Sequence, residues 1–348
     1  MYKNNFDFLR LLFATFVIVT HSYTIVGIPD IDWIYQISGG QTHFSYIGVR
    51  GFFIISGFLI YQSLVRSKSL EDYYWKRFLR LFPALFVMLL LTTLLGYFVY
   101  ENTEIPYWRN ETVWSYLPHN ITLFHLQYSI NGVFENNPYP SQINASLWTI
   151  PYEVIFYIVL SVLFFIKNEK SRQILLGIGC GLLIAFNILF LHRLGRIGLY
   201  VNLGPFFFGG AFLASVHFEK NIKQYPVYAI IGCLLLIIFT GLGYFSYVKF
   251  LLIPLILYVG MFSTPYLSGI GKKIGDLSYG IYIYAFPVQQ TLIHLIDLNY
   301  LELMLSSFFV TLVLAFLSWH VIEKSALEKK KTLPSVYLKK KLWTHIRS

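Results

Sequence analysis

Charge is what this 348-residue chain has least of: Asp, Glu, Lys and Arg make up 13% of it, against 56% hydrophobic residues. A water-soluble domain carries roughly 25% charged residues, so that class is excluded. Cysteine is nearly absent as well. Cys180 and Cys233 both lie in apolar stretches with no Cys or His partner at metal spacing, which argues against a disulfide framework and against zinc. The histidines at 43, 119, 125, 192, 217, 294 and 345 form no recognisable metal set. There is no G-x-S-x-G elbow, no P-loop, no internal repeat and no low-complexity segment. Acidic residues are outnumbered, 17 to 27, giving a net charge of +10. The excess sits in short hydrophilic breaks and in the tail after Glu323, which reads as a membrane-orientation signal and not as a nucleic-acid footprint.

What is present is apolar and aromatic, with 32 Phe, 27 Tyr and a mean hydropathy of +0.58. Runs long enough to span a bilayer place helices at 7 to 27, 46 to 65, 74 to 100, 148 to 166, 173 to 192, 198 to 216, 226 to 243, 248 to 263, 275 to 296 and 301 to 322. The expected fold is therefore all-α, a polytopic integral membrane protein of about ten transmembrane helices. The first run is as long as a full span, so it stays in the membrane and is not a cleaved leader. Alternate breaks hold Lys3, then Arg66, Lys68, Lys76 and Arg77, then Lys167, Lys170 and Arg172, then Lys220 and Lys223, then Lys272 and Lys273, then the tail from Lys324. The opposite breaks hold only Arg109, Arg193, Arg196 and Lys249. Both termini are then cytoplasmic. The division expected is a membrane domain over 1–323 and a basic cytoplasmic tail over 324–348 that meets anionic lipid. The connection from 101 to 147, rich in Asn, Tyr, Trp and Pro, caps the outer face.

Three groups of ionisable residues inside the apolar runs call for a reason, because an arginine at mid-membrane costs roughly 2.5–3.5 kcal/mol on insertion scales. In FDFLRLLFATFVIVTHSY, Arg10 and His21 differ by only about 20° around a helix and roughly 16 Å along it, so they share a face. In YYWKRFLRLFPAL, Arg77 and Arg80 are neighbours at i and i+3, and Pro83 follows. With Arg10 they form a candidate anion site for phosphates at the inner end, the bland alternative being snorkelling to headgroups. In SLWTIPYEVIFY, Glu153 near the outer start of its span is expected level with His21, as base and orienting partner. Structural readings stand beside these: a satisfied core histidine, and a glutamate complementing a helix dipole. YIGVRGFFIISGFLI adds Arg50, Gly51, Ser56 and Gly57, the glycines for close packing and Arg50 for an acceptor or for snorkelling.

These segments, in order, resemble the acyltransferase-3 family of membrane acyltransferases over nearly the whole chain. FDFLRLLFATFVIVTH resembles its first span, with Arg10 and His21; GFFIISGFLI its second; KRFLRLFPAL its Arg-x-x-Arg motif, with Arg77, Arg80 and Pro83; SLWTIPYEVIFY its fourth, with Glu153; LSYGIYIYAFP and LSWHVIEKS its late segments. Ala285 stands where many members carry His before the Phe-Pro pair, so that position is left out of the site.

The resemblance implies acyl-CoA, most often acetyl-CoA, as donor co-substrate; no metal is expected from the cysteine and histidine spacing. The CoA phosphates would dock at Arg77, Arg80 and Arg10, and His21 oriented by Glu153 would act on a hydroxyl of an envelope polysaccharide or lipid-linked glycan. The location implied is the bacterial inner membrane. Two other classes fit buried ionisable residues: a transporter or flippase of an envelope precursor, and an acyltransferase for a lipid or small hydrophobic acceptor.

Overall fold

The computed structural model describes residues 4–29, 31–220 and 226–333, and the side chains of these except His192, Arg196 and Lys331. Lys3, Lys223 and the greater part of the basic tail, from residue 334, lie outside the described residues. The chain is helical throughout, and one isolated bridge, Tyr100 to Val133, is its only extended pairing among the described residues.

In order, the helices are α1 Phe6–Ile25, the short α2 Trp33–Ile37, α3 Phe44–Arg66, α4 Leu70–Phe98 and α5 Glu111–Thr122. Then come α6 Ile150–Ser161, α7 Glu169–Phe190, α8 Gly198–Ser215, α9 Pro226–Gly241, α10 Phe245–Val248 and α11 Leu252–Met261. Last are α12 Ile270–Ile274, α13 Ser278–Leu295, α14 Tyr300–Ser318 and α15 Lys324–Glu328. Seven helical segments are long and apolar enough to cross a membrane among the described residues. The spans expected at 226 to 243 and 248 to 263 are the shorter Pro226–Gly241 and Phe245–Met261, and that expected at 275 to 296 is α13.

Small residues set the closest approaches. A Cβ on Gly57 would sit 1.9 Å from the Phe207 carbonyl oxygen, and one on Gly210 would sit 2.2 Å from that of Ile54. The backbones of α3 and α8 therefore touch, which is how helices gain contact where lipid and side chains are equally apolar. α1 runs antiparallel to α3. Its Phe13 ring fills the space over Gly51, while Thr20 Oγ1 accepts from the Ser45 amide at 2.9 Å. We call the end where α1 begins proximal and the end where it finishes distal.

Local signals place the helix ends. Ser69 caps α4 by accepting from the Asp72 amide, with Glu71 and Asp72 in the first turn to complement the helix dipole. α4 continues through Pro83 without a break. Asn299 and Glu302 form a capping box on α14. That helix ends in a π turn, Trp319–Glu323, and passes directly into α15. The chain thus runs on through Lys324 as helix, and Trp75 Nε1 donates to the Lys329 carbonyl at 3.3 Å.

The connection after α4 folds back over the distal end. Asn137 Nδ2 donates to the Gln290 side chain and backbone, Gln290 Nε2 to the Tyr139 and Gln142 carbonyls, and Asn144 Nδ2 to the Ile283 carbonyl. A loop rich in Asn and Gln can enter a bundle in this way because its polar groups satisfy freed helix carbonyls.

Candidate active site

A cavity of about 470 Å³ opens between α1, α3, α4, α6 and α13. Arg66, Lys76, Leu327 and Lys330 bound its proximal part, Arg10, Arg77 and Arg80 stand in its walls, and Ser56, Glu153 and Tyr157 lie deeper. Phe52, Thr149 and Tyr282 also line it; Thr149 and Tyr282 share a hydroxyl hydrogen bond of 2.7 Å and the Phe52 ring meets Tyr282 edge-on.

All three arginines expected at an anion site line this one cavity, but they are not equivalent. Arg10 Nη2 pairs with Asp7 at 2.6 Å and with Asp276 at 2.8 Å; Arg80 pairs with Asp276 at 2.7 Å and with Glu323 at 3.2 Å. Glu323 is 1% exposed, and the π turn carries it to Arg80 while Ser318 donates to its second oxygen. Two guanidiniums thus share three carboxylates drawn from α1, the turn before α13 and the π turn after α14. The attraction compensates the cost of burying each charge, so this network joins the proximal ends of the helices. Arg77 differs. Its Nη2 donates to Ser63 Oγ at 3.3 Å, its Nε is buried with no hydrogen-bond partner, and no carboxylate among the described residues pairs with it.

Glu153 departs from expectation in depth. The 3-10 turn Ala145–Thr149 runs straight into α6, so Glu153 lies well inside the span and not at its mouth. Its Oε1 accepts from Ser56 Oγ at 2.9 Å and from the Tyr157 hydroxyl one turn on. Tyr157 in turn is tied to α4, because Tyr73 donates to its backbone carbonyl at 3.1 Å.

His21 does not meet Glu153, and the expected pairing at equal depth is corrected. His21 is next to Thr20, which is level with Ser45 at the distal start of α3, whereas Glu153 is held at Ser56. The rise from Ser45 to Ser56 is roughly 16 Å. His21 packs edge-on against Phe286, which in turn meets Tyr139 from the long connection. It belongs to the distal end and is not among the residues lining the cavity.

Arg50 is 6% exposed with its guanidinium 3.5 Å from the Tyr46 ring centroid, a cation-π contact in place of snorkelling. Ala285 is fully buried among Ala14, Ile18, Leu277, Ile281 and Ala315, so this position is an apolar packing point. Ser56, Tyr157, Asp276 and Glu323 enter the site although sequence spacing did not assign them there. For Tyr157 a signal existed, since it follows Glu153 by one helical turn; Asp276 and Glu323 are distant in sequence from the arginines they meet.

Together these features describe a polytopic helical membrane protein with a charged cavity inside its bundle. The chain belongs to the acyltransferase-3 family: the family model described as an acyltransferase domain matches residues 3–320. It is 30% identical to an O-acetyl transferase of Shigella phage Sf6, over 94% of this chain and 98% of that protein. It is 29% identical to Nodulation protein 10 of Rhizobium leguminosarum bv. viciae, over 95% of each. Peptidoglycan O-acetyltransferase OatA of Listeria monocytogenes is 27% identical over 77% of this chain and half of that longer protein. No solved structure matches. The chain is thus an integral membrane acyltransferase of the O-acetyltransferase kind.

Proposed function

We propose that this protein moves an acyl group, most often acetyl, from acyl-CoA on the cytoplasmic side to a hydroxyl of an extracytoplasmic envelope polysaccharide or lipid-linked glycan. The observation that carries the reading is the cavity with an arginine in its wall that no carboxylate among the described residues pairs with directly. Arg77, with Arg66 and Lys330 nearby, offers positive charge and fork-shaped donors suited to the phosphates of CoA. Arg10 and Arg80 line the same wall, but each would have to share its carboxylates' attention with the ligand; they hold the wall in shape and contribute less spare charge. A flexible thioester arm entering past them ends at Ser56 and Glu153.

In this reading the proximal end is cytoplasmic, because the Lys-rich breaks lie there, and the chain makes about ten crossings in the inner membrane with both termini inside. Glu153 serves the donor side, and His21, at the opposite end, serves the acceptor. The names of two relatives, O-acetyl transferase and peptidoglycan O-acetyltransferase, support acetyl as the group and a glycan as acceptor.

The test is base-labile acetate on envelope polysaccharide from cells with and without this chain, repeated for His21→Ala. Loss in the deletion and in the variant, with the variant still inserted, is expected. Unchanged acetate on deletion would overturn the reading, and full acetylation by His21→Ala would remove that residue from it.

A further inference from the structure

Hydroxyls on the helices of this protein mostly turn back on their own backbone. Thr15, Ser22, Thr92 and Thr93 each donate to the carbonyl one turn earlier. Ser56 does not. Its hydroxyl crosses from α3 to α6 and donates to Glu153 Oε1 at 2.9 Å, inside the cavity that Arg77 also lines. The same carboxylate oxygen accepts from Tyr157, which Tyr73 anchors through its backbone. A hydroxyl on a carboxylate that a third group orients is the general arrangement of an activated nucleophile and its base.

Resting on the acyltransferase reading above, we propose that Ser56 is a nucleophile that takes the acyl group from the thioester, with Glu153 as its base and Tyr157 as the residue that orients Glu153. Ser56 Oγ attacks the thioester carbonyl as its proton passes to Glu153. The carbon–sulfur bond breaks, the departing thiolate takes that proton from Glu153, and CoA leaves as the free thiol. An oxygen ester on Ser56 remains and Glu153 is ionised as it began. In the second half the acceptor hydroxyl, reaching Ser56 from the distal end, gives its proton to Glu153 as it displaces Ser56 from the ester, and Glu153 returns that proton to Ser56 Oγ; His21, roughly 16 Å away, orients the acceptor and carries no proton. Exchange of a thioester for an oxygen ester is downhill, and the next exchange, ester for ester, is close to even. No oxidant, metal or further co-reactant enters.

The geometry gives this step a purpose. Ser56 and His21 are separated by roughly 16 Å along the bundle axis, so donor and acceptor ends are two stations. Phe52, Thr149 and Tyr282 bound the cavity that holds Ser56, and His21 is outside its lining. An ester on Ser56 would let CoA depart on the proximal side before the acceptor engages from the distal one.

The experiment uses the full chain in nanodiscs with acetyl-labelled acetyl-CoA and no acceptor. Rapid quench should give a burst of free CoA of up to one per chain, and peptide mass spectrometry should find the acetyl group on Ser56. Ser56→Ala should lose burst and label, and reduce glycan acetylation by about a hundredfold or more, while still binding acetyl-CoA. Ser56→Cys should carry a thioester, which neutral hydroxylamine removes where it leaves the native ester intact. His21→Ala should keep the burst and accumulate label. Wild-type acetylation by Ser56→Ala, or an undiminished burst in it, would overturn the Ser56 assignment and leave the acyltransferase reading standing. A wild-type chain that consumes no acetyl-CoA at all would overturn both.

Discussion

Arg77 and Arg80 are one helical turn apart and have different surroundings, so their substitution separates binding from folding. Arg80→Ala leaves the buried Glu323 without its cation while Asp276 keeps Arg10, and breaking a buried pair in this way costs about 3–5 kcal/mol. Its expected signature is a lower Tm of the purified protein, recovered in part by Arg80→Met combined with Glu323→Leu. Arg77→Ala removes no ion pair. It is expected to leave Tm nearly unchanged and raise the KM for acyl-CoA by about tenfold, the size of one lost charge-assisted contact. Equal loss of Tm in both variants would reject this division. The residue scale also shows where sequence reasoning stops. Arg10, Arg77, Arg80, Glu153 and His21 stand out because charge in an apolar run is costly, but which carboxylate meets which arginine depends on helices far apart in the chain.

At the scale of elements, the contact between α3 and α8 is set by the absence of side chains at Gly57 and Gly210. Gly57→Leu is expected to abolish folded protein by fluorescence size-exclusion chromatography, because its Cβ alone meets the Phe207 carbonyl oxygen. Gly179→Ala, with nothing within 4 Å of the added carbon, is expected to behave as wild type. The glycines of GFFIISGFLI were legible as packing residues, although their partners on α8 were not. The start of α6 illustrates the opposite case. A Pro at its second residue marks a helix beginning near Ile150, yet the preceding 3-10 turn extends the span and carries Glu153 into the bundle. Hydropathy finds a helix's existence more reliably than its first turn.

For the whole molecule, orientation is the property that the proposed chemistry depends on most. With the proximal end cytoplasmic, an alkaline phosphatase fusion in the connection after α4, at Arg109, is expected to be active. A fluorescent protein fused after Ser348 is expected to fluoresce. The reverse pattern would place the basic cavity on the acceptor side and remove the donor assignment of Arg77. Among the described residues, the seven long apolar helical segments and the shorter ones beside them share one bundle, in which the proximal half is charged and the distal half is closed by the Asn-rich connection.

The sequence by itself determined that this protein is helical, lies in a membrane and belongs among the acyltransferases, because hydropathy, charge asymmetry and short motifs are written along the chain in order. It also marked the ionisable residues, since each buried charge needs compensation. Only the tertiary structure decided how they combine: Arg10 and Arg80 neutralised by acids on other helices, Arg77 left with spare charge, Glu153 joined to Ser56, and His21 set at the far end. Depth and partnership follow from how helices cross and where their first turns begin. A shift of one or two turns moves a side chain by several ångströms along the axis, while leaving the one-dimensional pattern almost unchanged.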